Sequence, residues 1–297
     1  SVIIYDKYVV NGVEYSAELK SAVEDTKSVF GTVIVNGDAI NTCLVAAYLC
    51  DNVKATDLDY YFYECESLVW VGNLPKNSVT SLNRTFMYCE KMEYYPELPA
   101  GVVSMEYTFA GNLKLEKVEG WKFPDSVQSM RSCFYRCGNM VLFDSELPPN
   151  LTSIRSLFEN CFVMTTCRIS IPSKVENICG LFIKNYELTK LMDYKLYHEK
   201  GKTNNIIILP KSVKYAEQTF MRANELESKV FFNGPVETLS QMFVYSSIED
   251  AFFYDPNFKI YADYYRMNNS LAYANVSFNP FERALTKEDL QIEDLVR

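Results

Sequence analysis

Phenylalanine recurs at Phe62, Phe86, Phe109, Phe134, Phe158, Phe182, Phe220 and Phe243, at intervals of 24, 23, 25, 24, 24, 38 and 23 residues. No other feature of the chain restricts its fold as strongly, because a fixed period of this length signals stacked supersecondary units. The neighbouring positions keep the same register. Four residues before each Phe stand Leu58, Leu82, Met105, Met130, Ile154, Ile178, Ala216 and Leu239. Three residues after come Cys65, Cys89, Asn112, Cys137, Cys161, Asn185, Ala223 and Ser246, and six after, in all but the last unit, a Leu or Met such as Leu68 or Met92.

Positions −4, 0 and +3 share one face of a 3.6-residue helix, so the pattern predicts a short helix in each unit with a Leu/Met, Phe and Cys/Asn inner stripe. Five residues before each Phe stand Asp57, Ser81, Ser104, Ser129, Ser153, Asn177, Tyr215 and Thr238, and all but Tyr215 suit an N-cap. A short extended stretch follows and ends at an apolar-Pro pair, as at Leu74-Pro75, Leu98-Pro99, Phe123-Pro124, Leu147-Pro148, Ile171-Pro172 and Leu209-Pro210. Proline lacks the N–H a ladder needs, so these pairs end the strand and turn the chain. One such unit cannot bury its own stripe, whereas stacked copies can. The expected fold is therefore an α/β solenoid of about eight coils, roughly 40 Å long at the spacing of paired strands. Phe62 to Phe243, with Cys65, Cys89, Cys137 and Cys161, form its predicted core.

The stretches Ser81-Leu-Asn-Arg-Thr-Phe-Met-Tyr-Cys-Glu-Lys-Met92 and Ser129-Met-Arg-Ser-Cys-Phe-Tyr-Arg-Cys-Gly-Asn-Met140 resemble the BspA-like leucine-rich repeats, from about residue 53 to 262. That family is associated with bacterial surface adhesins and, in some members, with bacteriophage virion proteins. The resemblance implies binding or assembly, with virion or host surface proteins as partners and a surface glycan as a further candidate ligand. The chain departs from the pattern in its 38-residue interval and in its weakened last repeats.

Three parts are expected: residues 1–50 as an N-terminal cap or attachment segment, 51–256 as the solenoid with an insertion at about 194–208, and 257–297 as a closing strand and acidic helical tail. Asn11-Gly12 suits a two-residue hairpin turn. Ser16 could cap a helix to about Thr26, Val29 to Val35 reads as a strand, and Asp38 to Cys50 as a helix. Phe258 to Tyr261 looks like the closing strand, and Thr286-Lys-Glu-Asp289 like a capping box.

Composition narrows the function. Of 297 residues 48% are hydrophobic and 23% charged, which suits a folded chain with a large core. The net charge of −9 argues against nucleic acid, whose phosphates are bound by clustered Lys and Arg. No run is long and apolar enough for membrane insertion, and the start lacks the pattern of a signal peptide. The reading is a soluble, unexported chain; taken with this, the resemblance implies a virion component made in a host cytoplasm, with a bacterial cell surface, after removal of a signal, as the alternative location. Nine Cys and a single His, His198, fit reduced thiols. Cys alternates with Asn, Ala and Ser along its ladder, so it reads as a small packed residue, and no metal or cofactor is expected. Gly201-Lys-Thr203 lacks the leading Gly of a phosphate-binding loop, since Leu196 stands there. No catalytic residues are assigned. An enzyme would have to use His198 or a carboxylate pair.

Three surfaces are candidates for binding. Tyr60, Tyr61, Tyr63, Tyr88, Tyr107 and Tyr135 fall at positions −2, −1, +1 or +2 of the predicted helices, away from the inner stripe. The span between Phe182 and Phe220 could project a hairpin over Lys195 to Ile208, bearing Tyr197, His198, Lys200 and Lys202. Strand positions +7 and +8 carry Trp70, Tyr94, Lys117, Leu142, Thr166 and Lys190.

Overall fold

The computed structural model describes residues 1–5, 7–16, 18–19, 33–35, 38–40, 44–234, 236–253 and 277–280. The eight phenylalanines form one column. Successive rings stack at 5.4, 5.7, 5.6, 6.0, 5.7, 5.9 and 5.9 Å between centroids, with interplanar angles from 5° to 15°. All eight are fully buried, and the 38-residue interval leaves the column intact, with Phe182 on Phe220 at 5.9 Å. Coils are numbered 1 to 8 here by these residues.

The expected helix is replaced by a string of tight turns. In every coil positions −2 and +2 lie in the left-handed region, for example Tyr60 (φ 61°) and Glu64 (φ 56°) or Ser132 (φ 53°) and Arg136 (φ 57°). Such residues stop an α-helix at a strain of roughly 1–2 kcal/mol each. They also turn alternate N–H groups along the solenoid axis. Thus Leu58, Tyr60, Phe62 and Glu64 donate to the carbonyls of Ser81, Asn83, Thr85 and Met87 in the next coil, at 2.9–3.0 Å. The N–H groups between them close four-residue turns, as from Tyr61 to Leu58 O and Cys65 to Phe62 O. Four coil-to-coil hydrogen bonds, each worth about 1 kcal/mol net, offset the backbone strain.

This route keeps −4, 0 and +3 inside, and it also buries −1, which a helix would have turned outward. Thr85 and Thr108 at −1 are buried and donate to Leu58 O (2.9 Å) and Leu82 O (2.8 Å). The N-cap expectation changes accordingly. Ser81, Ser104 and Ser129 sit in isolated parallel bridges and donate to Asp59, Asn83 and Glu106 of the preceding coil, at 2.6–2.9 Å.

The opposite side of the solenoid holds short parallel strands in three separate sheets. The first pairs Val2–Ile4 with Ala46–Leu49 and Trp70–Val71. The second runs Lys117–Glu119, Leu142–Asp144, Thr166–Arg168 and Lys190–Met192. The third runs Ile206–Leu209, Lys229–Phe232, Asp250–Phe253 and Ser277–Pro280. After the strands, Pro99, Pro124, Pro148, Pro172 and Pro210 accept from the N–H three residues on, which makes the expected turns.

Near the N-terminus Lys7–Val10 and Val13–Ser16 form the hairpin foreseen at Asn11-Gly12, both at positive φ (51° and 79°). Val33–Val35 is a strand, as expected, and pairs antiparallel with Asp38–Ile40. The helix expected over Asp38 to Cys50 gives way to strands Asp38–Ile40 and Ala46–Leu49, whose backbones complete ladders with neighbours distant in sequence. Glu18–Leu19 is likewise a strand, paired with Lys54–Ala55, where a helix from Ser16 was expected. Residues 20–32, Phe258 to Tyr261 and the capping box at Thr286 lie outside the described residues.

Candidate recognition surfaces

The polar rungs of the core explain why Cys and Asn interchange at +3. Cys89, Cys137 and Cys161 point Sγ at the carbonyls of Phe62, Phe109 and Phe134 in the preceding coil, at 3.0, 3.1 and 3.2 Å. Asn112 and Asn185 donate Nδ2 to Phe86 O (2.6 Å) and Phe158 O (2.8 Å) in the same way. These five coils place a small hydrogen-bond donor there, whereas coil 7 fits the buried Ala223 without one. Burial pushes the Cys137 thiol up to about 12, which keeps its proton on the donor.

The predicted tyrosine patch forms on the turn side of coils 1 to 4, with one exception. Tyr61 is core: it is 1% exposed, because position −1 points inward in a turn string, and burial pushes its phenol up to about 12. The other five are half-buried at the surface. Tyr60 meets Tyr63 edge-on at 5.7 Å, Tyr63 meets Tyr88 at 6.2 Å, and Tyr107 meets Tyr135 at 6.2 Å. Between them lies a residue the sequence reading passed over. The Arg84 guanidinium sits over Tyr60 at 5.3 Å and over Tyr107 at 4.7 Å, one coil to either side. Arg136 caps Tyr135 at 5.4 Å. The signal was the −2 column Tyr60, Arg84, Tyr107, which alternates aromatic and cation at the coil period. The ring of Tyr88 lies over Gly111, where a Cβ would come within 2.2 Å of it.

Farther along the same side the −2 position shrinks to Ser132, Ser156 and Gly180, and a hollow of about 640 Å³ opens between Arg155, Glu159, Cys179 and Glu217. Cys179 Sγ contacts Glu217 Oε2, and burial, followed by that carboxylate, pushes the thiol up to about 12. A thiol held protonated is a poor nucleophile.

The insertion does not project as a hairpin. Asp193 caps a helix over Tyr194–Lys200 through Leu196 N (3.0 Å), Gly201 ends it at φ 63°, and the chain enters strand Ile206–Leu209. The helix lies on the strand side because its polar residues are paired there. His198 Nε2 is 2.7 Å from Asp144 Oδ1, Arg168 holds Oδ2 at 2.6 Å, and the Arg168 guanidinium stacks on Tyr197 at 4.1 Å. Lys195 reaches Glu146 at 3.1 Å. His198 thus anchors the helix to the buried carboxylate of Asp144, while Lys200 is exposed and Lys202 half-buried.

On the strand side Trp70 and Tyr94 are exposed (39% and 60%), and Trp70 stacks on Tyr48 at 6.3 Å. Lys117 and Lys190 are exposed on the same side, and Leu142 and Thr166 half-buried. The structure does not gather these into one site: Trp70 and Tyr94 are joined by a bridge, and the other four belong to the next sheet. A groove of about 1080 Å³ lies between Tyr94 and Lys117. No helix among the described residues is long and apolar enough to cross a membrane.

A family model described as the BspA type leucine rich repeat region matches residues 58–190, in six copies. A leucine-rich repeat protein of T. pallidum, known from its crystal structure, is similar over 82% of this chain and 87% of that one, at 17% identity and a TM-score of 0.37. No curated protein matches the chain.

Proposed function

Because this chain is a BspA-type leucine-rich repeat protein, with six matched copies over residues 58–190, we propose that it works without catalysis, by holding a protein partner on the turn side of coils 1 to 4. The observation that carries this reading is the Tyr60–Arg84–Tyr107 sandwich, extended by Tyr63, Tyr88, Tyr135 and Arg136. Tyr and Arg dominate the energetic centres of protein interfaces. Here they stand on left-handed turns hydrogen-bonded coil to coil, so little side-chain or backbone freedom remains to be lost on binding.

We place the chain in a bacteriophage particle, synthesised in the host cytoplasm, as a structural or host-contacting component. The thiol ladder supports synthesis in a reducing cytoplasm, since Cys89, Cys137 and Cys161 serve as hydrogen-bond donors only while reduced, and the resemblance to a family with virion members supports the particle. The test is a photo-crosslinking residue placed at Tyr63 or Tyr135, with Lys190 on the strand side as control, followed by mass spectrometry of purified particles. Crosslinks to other particle proteins from the two tyrosine positions and not from Lys190 are expected. Crosslinks from Lys190 alone would move the interface to the other side. Recovery of the chain on bacterial envelopes and not in particles would establish the adhesin reading instead.

A further inference from the structure

The strand side is divided at two places, and they differ. Between the second and third sheets the side chain of Asn205 bridges the gap, donating Nδ2 to Thr189 O (2.8 Å) and Glu227 O (3.2 Å). Between the first and second sheets no side chain among the described residues joins strand carbonyls in this way; the Tyr95 hydroxyl links Met92 O to the Asn112 side chain deeper in the coil. The N–H seven residues past each Phe donates to its counterpart one coil back, from Glu93 to Val69 O (3.0 Å), Val141 to Glu116 O (2.8 Å), Thr165 to Val141 O (3.1 Å) and Thr189 to Thr165 O (3.2 Å). The step from Glu116 to Glu93 is missing.

Local sequence explains the break. Tyr95 turns its ring inward, 5.4 Å from Phe109 and 5.2 Å from Trp121, with its hydroxyl 3.0 Å from Asn112 Oδ1. The rings of Tyr95 and Trp121 meet across coils 2 and 3 and hold the two strand segments out of ladder contact. As a result Lys117–Glu119 is paired on one side only, with Leu142–Asp144. Glu116 O accepts from Val141 N and Gly120 N donates to Asp144 O, which fixes the even-numbered residues on that side. The N–H and C=O of Lys117 and Glu119 therefore face the other way, into the groove of about 1080 Å³.

We propose that this groove binds an extended peptide segment of a partner protein by strand addition to the edge of Lys117–Glu119. An unpaired row of alternating donors and acceptors matches a polypeptide backbone better than any other ligand. The lining specifies the side chains: Tyr95 and Trp121 offer an apolar floor, Glu93 and Glu97 line the groove from coil 2 and Lys114, Glu116, Lys117 and Lys122 from coil 3, so the peptide should alternate apolar residues with both signs of charge. A glycan fits less well. The exposed ring of Tyr94 could stack on a sugar, but a sugar would not supply the alternating donors and acceptors that the Lys117 and Glu119 backbone groups call for.

This inference is independent of the tyrosine surface, which lies on the other side of the coil. The full chain is to be screened against an array of blocked ten-residue peptides alternating an apolar residue with Lys, Glu or Thr, alongside an oligosaccharide array. Expected is a binding peptide that slows hydrogen exchange at the Lys117 and Glu119 amides. N-methylation of its backbone on one edge should weaken it on the order of tenfold, and on the other edge hardly at all. Lys117→Pro should weaken it similarly, because the pairing to Leu142–Asp144 uses the even-numbered groups. Arg84→Ala should leave peptide binding unchanged while disrupting the tyrosine surface. Failure of every peptide, equal tolerance of N-methylation on both edges, or protection of these amides by an oligosaccharide alone would overturn the proposal.

Discussion

The two sides of this solenoid obey different rules. On the turn side a single row of parallel bridges passes without interruption from Asp57 through Ser81, Ser104, Ser129, Ser153, Asn177 and Tyr215 to Thr238, even across the long interval. On the strand side the ladder falls into three sheets, one gap left as a groove floored by Tyr95 and Trp121 and the other bridged by an asparagine. The turn side must be regular because each of its residues is committed at once to an inward contact, a left-handed backbone or a coil-to-coil hydrogen bond. The strand side has only to bury one residue in two, so it tolerates an insertion, a break and a changing outer surface. Repetition is enforced on one side, and individuality is left to the other.

The contrast can be broken most directly at the column. Phe134→Ala should lower stability by about 3–5 kcal/mol, since it removes a ring stacked on both Phe109 and Phe158; chemical denaturation measures this, and a loss below about 1 kcal/mol would mean the coils do not share one core. Asp144→Ala should cost about 2–3 kcal/mol by leaving Arg168 and His198 without their carboxylate. That loss should be accompanied by faster amide exchange over Tyr194–Lys200 with the turn side unchanged; exchange that spreads to coils 4 and 5 would show the two sides to be coupled.

A smaller effect is expected at the polar rungs. Asn185→Ala should cost about 1 kcal/mol, whereas Asn185→Cys, which keeps a donor to Phe158 O, should recover most of it in the same denaturation series. Equal losses would mean that size alone governs position +3. On the outer strand surface Thr166→Ala should stay within about 0.5 kcal/mol of the parent. Thiol chemistry sharpens the same division: at pH 8 in the native state Cys137 should resist iodoacetamide until the chain unfolds, being buried and held near 12, while the half-buried Cys50 should react well before it. Alkylation of Cys137 at the rate of Cys50 would show the rungs opening without global unfolding.

Part of the candidate site was visible in the chain before any coordinates. Tyr60, Tyr63, Tyr88, Tyr107 and Tyr135 do share one surface, because −2, +1 and +2 point outward in a helix and in a turn string alike. Tyr61 does not, because the two backbones part company at −1. Arg84 was overlooked because a lone arginine beside a core residue carries no local signal; only the stacking of coils sets it between Tyr60 and Tyr107. His198 stood out as the chain's one imidazole, but its partner, Asp144, is 54 residues away and no short-range pattern links them.

The amino-acid order by itself determined the period, the phenylalanine column and the inner stripe, since burial of apolar side chains follows from spacing alone and hardly depends on how the backbone travels between them. The turn string, the gap beside Tyr95 and the anchored helix were decided only in three dimensions. Each depends on hydrogen bonds and ring contacts to a neighbouring coil some two dozen residues away, and those partners exist only once the coils have stacked.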